Sequence, residues 1–201
     1  LRTPITSIYA GAELLRRRLV DDPATRELAT DLADEANRLH RLVENLLVLS
    51  RVERGADLRR DDPVLLHHLA RRVLAYEAER WPGARFDMET PATLPAVTGD
   101  ESYAEQILRN LLSNAAKYGP PGGRVRLQLE HVDDEVLLRV LDDGPGFEPG
   151  TEERVFELFR RAGTQSQPGE GIGLAHVRTL VRSLGGDITL RSELGVGSTF
   201  I

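Results

Sequence analysis

The chain has 201 residues, which suits one large domain or two modest ones. Its 40% hydrophobic and 29% charged residues are typical of a globular protein with a buried core. The net charge of −6, with Lys and Arg scattered, argues against a nucleic-acid-binding surface, and the absence of Cys excludes disulfides, thiolate catalysis and Cys-ligated zinc.

The N-terminal residues 1–54 carry a heptad pattern that predicts two helices. Apolar residues recur at alternating spacings of three and four over 1–19 and again over 28–49. Between them, Asp22 can cap the second helix and Pro23 can take its first position. The apolar face is too broad for a hairpin to bury by itself. A dimeric four-helix bundle can bury it, so we expect a homodimer through these residues.

A linker at 55–62, rich in charges and closed by Pro63, separates this hairpin from residues 63–201, where the periodicity changes. The predicted elements are a helix over 64–76, short strands near 85–89 and 96–98, a helix over 101–118, a β-hairpin over 124–142, a helix over 172–184 and two closing strands. The predicted fold is α+β: an α/β sandwich in which a mixed sheet carries its helices on one face.

The helix over 101–118 carries a polar face within the sequence NLLSNAAKY. Asn110, Asn114 and Lys117 are four and then three residues apart, so they share one side of the helix. An amide oxygen is a ligand that suits Mg²⁺, and a Lys ammonium suits a phosphate. The alternative is a solvated polar face without a ligand.

Three further motifs follow in the chain. DDGPG places Asp142 at the end of a strand, where a carboxylate can accept a hydrogen bond from an exocyclic amine, although a plain turn has the same sequence. FELF, at 156–159, lies within the polar and poorly periodic stretch 148–167, which has the composition of a lid. GEGIGL, at 169–174, precedes a helix and can present backbone N–H groups to an anion.

In this order, the Asn helix, the Asp-Gly turn, the paired Phe and the Gly loop resemble the catalytic core of a sensor histidine kinase of a two-component system. The resemblance covers essentially the whole chain. Residues 1–54 resemble the dimerisation and histidine-phosphotransfer hairpin. Residues 63–201 resemble the GHKL ATP-binding domain that is shared with gyrase B and the mismatch-repair ATPases.

The resemblance implies an ATP- and Mg²⁺-dependent protein-histidine kinase. The γ-phosphoryl group of ATP would pass to a His on the bundle and then to an Asp of a response-regulator receiver domain. The implied location is cytoplasmic, and the chain has no apolar run near the about 20 residues of a membrane span. Any membrane anchor of the parent protein would therefore lie in segments outside this chain.

The resemblance also implies roles for single residues. Asn114 matches the Mg²⁺ ligand, and Asn110 lies near the phosphates and the metal. The residues that match phosphate or nucleotide contacts are Lys117, Tyr118, Gly169, Gly171, Gly173, Leu174 and Arg161. Those that match the adenine pocket and the last motif, GVGSTF, are Asp142, Gly144, Gly146 and Thr199. Arg160 departs from the family pattern, which commonly has Tyr before the basic residue.

The family's phospho-acceptor motif reads His-Glu-Leu-Arg-Thr-Pro, and this chain begins at its Leu. We therefore expect the acceptor His and the adjacent Glu to precede Leu1 in the parent protein, and we do not expect the 201-residue chain to phosphorylate itself. Thr3 matches the residue that helps to position water for dephosphorylating the regulator, or it is a hydroxyl on the helix surface. We expect no acceptor among the five His of the chain, which are His40, His67, His68, His131 and His176.

Two alternatives stay open. The chain could be an ATP hydrolase like gyrase B, or a serine kinase of the same superfamily. Those relatives usually have a Glu base where Asn110 stands, and an amide cannot take a proton. The chain could instead be a non-catalytic dimeric module that binds nucleotide and docks a regulator.

Overall fold

The computed structural model of the chain describes residues 62–157 and 173–201, together with five single residues nearer the N-terminus. Those five are all helical: Ile8, Gly11, Leu32, Ala36 and Leu39. The chain divides into two compact units, Leu1–Ala56 and Asp57–Ile201. Among the described helices we find none with the length and apolar character that crossing a bilayer requires.

The second unit contains three helices and seven strands within its described residues. The helices are α1 (Leu66–Arg80), α2 (Glu101–Tyr118) and α3 (Gly173–Ser183), and a 3₁₀ turn spans Arg154–Phe156. The strands are β1 (Asp62–Val64), β2 (Arg85–Glu89), β3 (Val97–Gly99), β4 (Arg124–Val132), β5 (Glu135–Asp142), β6 (Leu190–Glu193) and β7 (Gly197–Phe200).

Five of the described strands form one sheet in the order β2-β4-β5-β7-β6. β2 runs parallel to β4, and the other neighbouring strands are antiparallel, so the predicted mixed sheet is confirmed. β1 and β3 pair separately as a two-stranded sheet. β1 was not predicted, and it shortens α1 at its start because Val64 pairs with Val97 instead of opening the helix.

The sheet has one covered face and one open face. Val125, Leu127 and Leu129 of β4 are buried, whereas Arg124, Arg126, Gln128 and Glu130 alternate with them and retain exposure. The covered face belongs to the same apolar core as Val73 of α1, Leu108 and Leu112 of α2 and Val177 of α3. The expectation of helices on one face of the sheet is therefore confirmed.

Local sequence signals set the ends of the central elements. Asp100 caps α2, because its Oδ1 accepts a hydrogen bond from the backbone N–H of Ser102 at 2.8 Å. The turn between β4 and β5 places Asp133 at φ 54°, a left-handed conformation that Asp tolerates better than most residues. α2 and the β4–β5 hairpin therefore have the bounds that the sequence predicted.

Candidate active site

The polar face of α2 meets the first residue of α3. A Cβ atom at Gly173 would lie 3.4 Å from Asn110 Oδ1 and 3.9 Å from Asn114 Nδ2. Asn110 Nδ2 donates a hydrogen bond to the backbone oxygen of Gln106 at 2.9 Å. The amide of Asn110 is thereby oriented with its oxygen toward Gly173. The structure thus brings together three of the predicted residues, Asn110, Asn114 and Gly173.

Helix α3 runs antiparallel to α2. Gly173 lies beside Asn110 and Asn114, His176 contacts Gln106 one turn earlier in α2, and Leu184 packs against Gly99 just before α2. The N–H groups in the first turn of α3, which have no acceptor within the helix itself, therefore point toward the end of α2 that carries Lys117. These N–H groups attract anions, and amide oxygens attract Mg²⁺. The arrangement suits a metal-bound phosphate.

Lys117 and Tyr118 close α2 and adjoin the second part of the site. Lys117 Nζ lies 5.1 Å from the ring centroid of Tyr118, whose side chain is exposed. A Cβ atom at Gly144 would lie 3.6 Å from the backbone oxygen of Tyr118. The end of α2 therefore adjoins the turn that follows Asp142, so the predicted phosphate and adenine residues lie side by side.

Asp142 ends β5 on the covered face of the sheet. Its Oδ1 accepts a hydrogen bond from the backbone N–H of Gly144 at 2.8 Å. Burial raises the pKa of Asp142 from 3.8 to about 6, while hydrogen bonds from the backbone of Gly144 and Ser198 oppose the rise. Because burial removes part of its hydration, the carboxylate of Asp142 would be stabilised by a further hydrogen-bond donor such as an aromatic amine.

Close backbone contacts hold the Asp142 turn against the β6–β7 hairpin. Gly146 has φ 67°, and a Cβ atom there would overlap the backbone oxygen of Glu193. A Cβ atom at Gly197 would overlap the backbone oxygen of Asp142, and the N–H of Gly195 donates to Pro145 O at 2.8 Å. Gly146 therefore allows the two turns to pack backbone against backbone. At Gly144 a Cβ atom would lie 2.5 Å from Asp142 Oδ1, so glycine leaves room there for the carboxylate.

The strand register places Ser198 on the side of Asp142, and Thr199 on the other side. Ser198 pairs with Asp142, while Thr199 pairs with Leu141 and Arg191 on the open face of the sheet. Ser198 is buried, and its Oγ lies 3.2 Å from Ser192 Oγ. Thr199 therefore lies on the face opposite to Asp142, because successive strand residues point to opposite faces, and its role stays a prediction.

Some of the other predicted residues lie in the described part of the chain, and the rest lie outside it. Leu174 is half-buried and packs on the core. Phe156 is buried, with its ring centroid 6.4 Å from that of Phe200 in an edge-to-face contact. Thr3, Phe159, Arg161, Gly169 and Gly171 fall outside the described residues. His176 is fully buried, which is unsuitable for an acceptor that must reach ATP.

The sequence prediction missed Gln106, His176 and Ser198. Gln106 precedes Asn110 by four residues and so extends the same helix face, which is a signal available from spacing. Ser198 shares a face of β7 with Phe200, but its place beside Asp142 follows only from the pairing of β5 with β7. Within the described part of the chain, no group of three or more His, Asp and Glu side chains could hold a metal ion. Asn114 stays the predicted Mg²⁺ ligand, with Asn110 near the metal and the phosphates.

Two families match the chain, each over one part. Residues 1–55 match the His Kinase A (phospho-acceptor) domain. Residues 99–201 match the family described as histidine kinase-, DNA gyrase B-, and HSP90-like ATPase. The second match includes α2, the Asp142 turn, α3 and the closing strands.

Similar proteins match over nearly the whole chain. The probable sensor histidine kinase TcrY of Mycobacterium tuberculosis is 35% identical over 199 residues, which are 97% of this chain and 42% of TcrY. The histidine-protein kinase/phosphatase MprB of Mycolicibacterium vanbaalenii is 36% identical over 202 residues, covering 96% of this chain and 40% of MprB. The chain thus spans well under half of these relatives.

Solved structures show the same similarity. Full-length ShkA, crystallised in complex with AMPPNP, gives a TM-score of 0.75 at 31% identity and covers 99% of this chain and 42% of ShkA. A structure of the mycobacterial sensor histidine kinase MprB gives a TM-score of 0.62 at 33% identity, over 70% of this chain and 94% of that one.

Proposed function

The chain belongs to the sensor histidine kinase family, and on that premise we propose that it is the catalytic core of a two-component protein-histidine kinase. Residues 63–201 would bind ATP with Mg²⁺, and residues 1–54 would form the dimeric phosphotransfer bundle, with 55–62 as the linker. The γ-phosphoryl group would pass to a bundle His and then to an Asp of a response-regulator receiver domain. We place this activity in the cytoplasm.

The observation that carries the proposal is the meeting of Asn110, Asn114 and the start of α3 at Gly173. An ATP molecule has two recognisable ends, and the site offers a different chemistry to each. The N–H groups of α3 suit the phosphates, the amide oxygens suit a Mg²⁺ bound to those phosphates, and Asp142 suits the adenine amine. The similar protein ShkA was crystallised in complex with AMPPNP, which supports nucleotide binding by this chain.

We assign the steps of binding and transfer to these residues. Asp142 would orient the base, and Lys117 would pair with a phosphate oxygen. Asn110 and Asn114 would hold Mg²⁺, which when bound neutralises the charge of the phosphates. Gly173 keeps the space in front of both amides open. The attacking imidazole nitrogen would form its bond to the γ-phosphorus as the bond to the β,γ-bridging oxygen breaks and ADP leaves.

Exposed apolar residues support the homodimer. Ile8, Leu32 and Leu39 belong to the heptad seam, yet they keep 53%, 50% and 45% of their surface in the single chain. Ala36 lies beside the seam and is buried within the chain. Burying large apolar side chains is favourable, so a second copy is the partner that we propose for this seam.

The test of nucleotide binding compares two adjacent carboxylates. Asp142→Asn replaces the carboxylate that would accept from the adenine amine by a neutral amide, whereas Asp143→Asn changes an exposed carboxylate that accepts the backbone N–H of Arg124 at 3.0 Å. We expect ATP affinity, measured by calorimetry, to fall about 30-fold in the first variant and less than about twofold in the second. Equal losses in both variants would contradict the assignment of Asp142.

The test of phosphoryl transfer uses γ-labelled ATP and a separately supplied bundle that carries the acceptor His. We expect acid-labile label on that bundle and none on the 201-residue chain. ATP binding without transfer would favour the non-catalytic docking module. Release of inorganic phosphate that is lost with Asn110→Ala would favour the hydrolase.

A further inference from the structure

A buried imidazole joins α3 to α2 one turn away from the two Asn. His176 has no exposed surface, and its Nε2 lies 3.2 Å from Gln106 Oε1. Since an amide oxygen only accepts hydrogen bonds, the imidazole donates through Nε2. Leu180, one turn later on α3, is also fully buried. The contact is therefore a directional bond between the two helices at a buried position.

Gln106 takes part in a second hydrogen bond that reaches the candidate metal ligands. Its backbone oxygen accepts a hydrogen bond from Asn110 Nδ2 at 2.9 Å, which turns Asn110 Oδ1 toward Gly173. One residue therefore contacts α3 through its side chain and orients Asn110 through its backbone. His176 and Gly173 belong to the same first turn of α3, so fixing one of them fixes the other.

We propose that His176 and Gln106 are positioning residues for the metal-phosphate end of the site. Their bond would set the rotation and height of α3 on α2, and with it the distance from the α3 N-terminus to Asn110 and Asn114. This inference rests on the proposed binding of Mg²⁺ and ATP. A phosphate chain held by two helices at once is sensitive to displacements of about 1 Å between them. The adenine end, at Asp142, does not depend on this contact.

A purely structural role predicts a different outcome from a positioning role. Removing one partner of a buried hydrogen bond leaves the other unsatisfied, whereas replacing both by apolar groups is nearly neutral for stability. If the pair only holds the fold together, the double variant H176L/Q106L regains both stability and binding. If the pair positions the helices, the double variant regains stability alone.

The experiment compares H176L, Q106L, the double variant and H176Q on the 201-residue chain. The probes are Mg·AMPPNP and, for the adenine end, adenosine without Mg²⁺, both measured by calorimetry. We expect Mg·AMPPNP to bind about tenfold more weakly to both single variants and to the double variant, and adenosine to change by less than about twofold. H176Q keeps a donor and should recover most of the affinity.

Thr179→Val supplies a matched control, because Thr179 Oγ1 donates to Ala175 O at 3.0 Å within α3 and does not connect the two helices. We expect it to bind both probes like the unmodified chain. In the nucleotide-free protein, the side-chain NH₂ resonances of Asn110 should shift in H176L and stay in place in Thr179→Val.

Two results would overturn the inference. One is a double variant that binds Mg·AMPPNP like the unmodified chain, and the other is an equal weakening of Mg·AMPPNP and adenosine in H176L. Failure of the unmodified chain to bind Mg·AMPPNP would instead overturn the proposed function, and this inference with it.

Discussion

Helix α2 carries polar side chains both toward α1 and toward α3, but those toward α1 are charged and those toward α3 are neutral. Toward α1, Arg109 lies 3.6 Å from the buried carboxylate of Glu77 and 2.8 Å from Glu105, and its guanidinium sits 4.2 Å from the ring centroid of Tyr76. Toward α3, the polar groups are the neutral side chains of Gln106, Asn110 and Asn114.

This contrast indicates which side of α2 could bind a ligand. On the α1 side, Trp81 Nε1 also donates to Glu77 Oε2 at 3.2 Å, so charges and donors find complements inside the chain. On the α3 side, the amide oxygen of Asn110 points to the small residue Gly173 at the mouth of a helix. We therefore expect the α1 side to stabilise the fold and the α3 side to bind a ligand. Substitutions on the two sides of α2 should therefore separate effects on stability from effects on binding.

The largest effect is expected for Asn114→Ala on the α3 side. Loss of a metal ligand should weaken the binding of Mg·ATP about 100-fold, or about 2.7 kcal/mol, while Mg²⁺-free ADP binds nearly as before. Calorimetric titrations with and without Mg²⁺ measure both. Ser113→Ala is the neighbouring control, because Ser113 Oγ donates to the backbone oxygen of Asn110 at 3.3 Å. If Asn114→Ala lost stability in parallel with affinity, the α3 side would not be specific to ligand binding.

Glu77→Ala should do the reverse on the α1 side. It leaves Trp81 Nε1 without this acceptor and empties buried volume, so we expect unfolding to become easier by about 2.5 kcal/mol. Trp81 is the single Trp of the chain, and its fluorescence during urea unfolding gives the midpoint. The affinity for Mg·ATP, measured well below that midpoint, should stay unchanged. A large loss of affinity would show that the two sides of α2 are coupled.

Asp142 belongs to the candidate site and also affects stability, because burying its carboxylate costs free energy. Its pKa of about 6 in the folded chain exceeds the ordinary value of 3.8, so its contribution to stability is full below about pH 4 and is lost as pH rises through about 6. The shift corresponds to about 3 kcal/mol, which partial solvent access reduces to about 2. Asp142→Asn should therefore be more stable than the unmodified chain at about pH 8.

Urea unfolding across this pH range measures the gap, which should close toward pH 4. ATP affinity should move the other way and weaken in the unmodified chain as pH falls through about 6, because a protonated Asp142 loses acceptor strength. Asp143→Asn is the control for both. A stability gap independent of pH would mean that Asp142 bears no such cost.

Periodicity predicted the helices and strands whose secondary structure is determined by their own sequence and not by pairing with a distant segment. The 3.6-residue pattern and the Asp100 cap fix α2, strict alternation fixes β4, and the acidic turn after β4 marks the start of β5. β1 was missed because three residues that include Pro63 carry too little pattern, and only pairing with β3 makes them a strand.

The site residues divide in the same manner. The grouping of Asn110, Asn114 and Lys117 follows from helix spacing alone. The choice between Ser198 and Thr199 needs the register with Asp142, and the contact of Gln106 with His176 needs the packing of two helices distant in sequence. Neither is written in a local pattern. The roles of all the site residues stay predictions, and Thr3, Arg161, Gly169 and Gly171 lie outside the described residues.

The smallest effect is expected for Arg72→Met at the solvent edge of the α1 side. Arg72 lies 2.8 Å from Glu101 and 3.4 Å from Glu105, but its own side chain is 60% exposed and that of Glu101 56%. Water and salt screen such pairs, and ordering two long side chains opposes the attraction. The urea midpoint by Trp81 fluorescence should therefore stay within the scatter of repeated measurements. Since Arg72 and Arg109 both contact Glu105, a clear drop would mean that stability on this side comes from the charge network as a whole and not from the burial of Glu77.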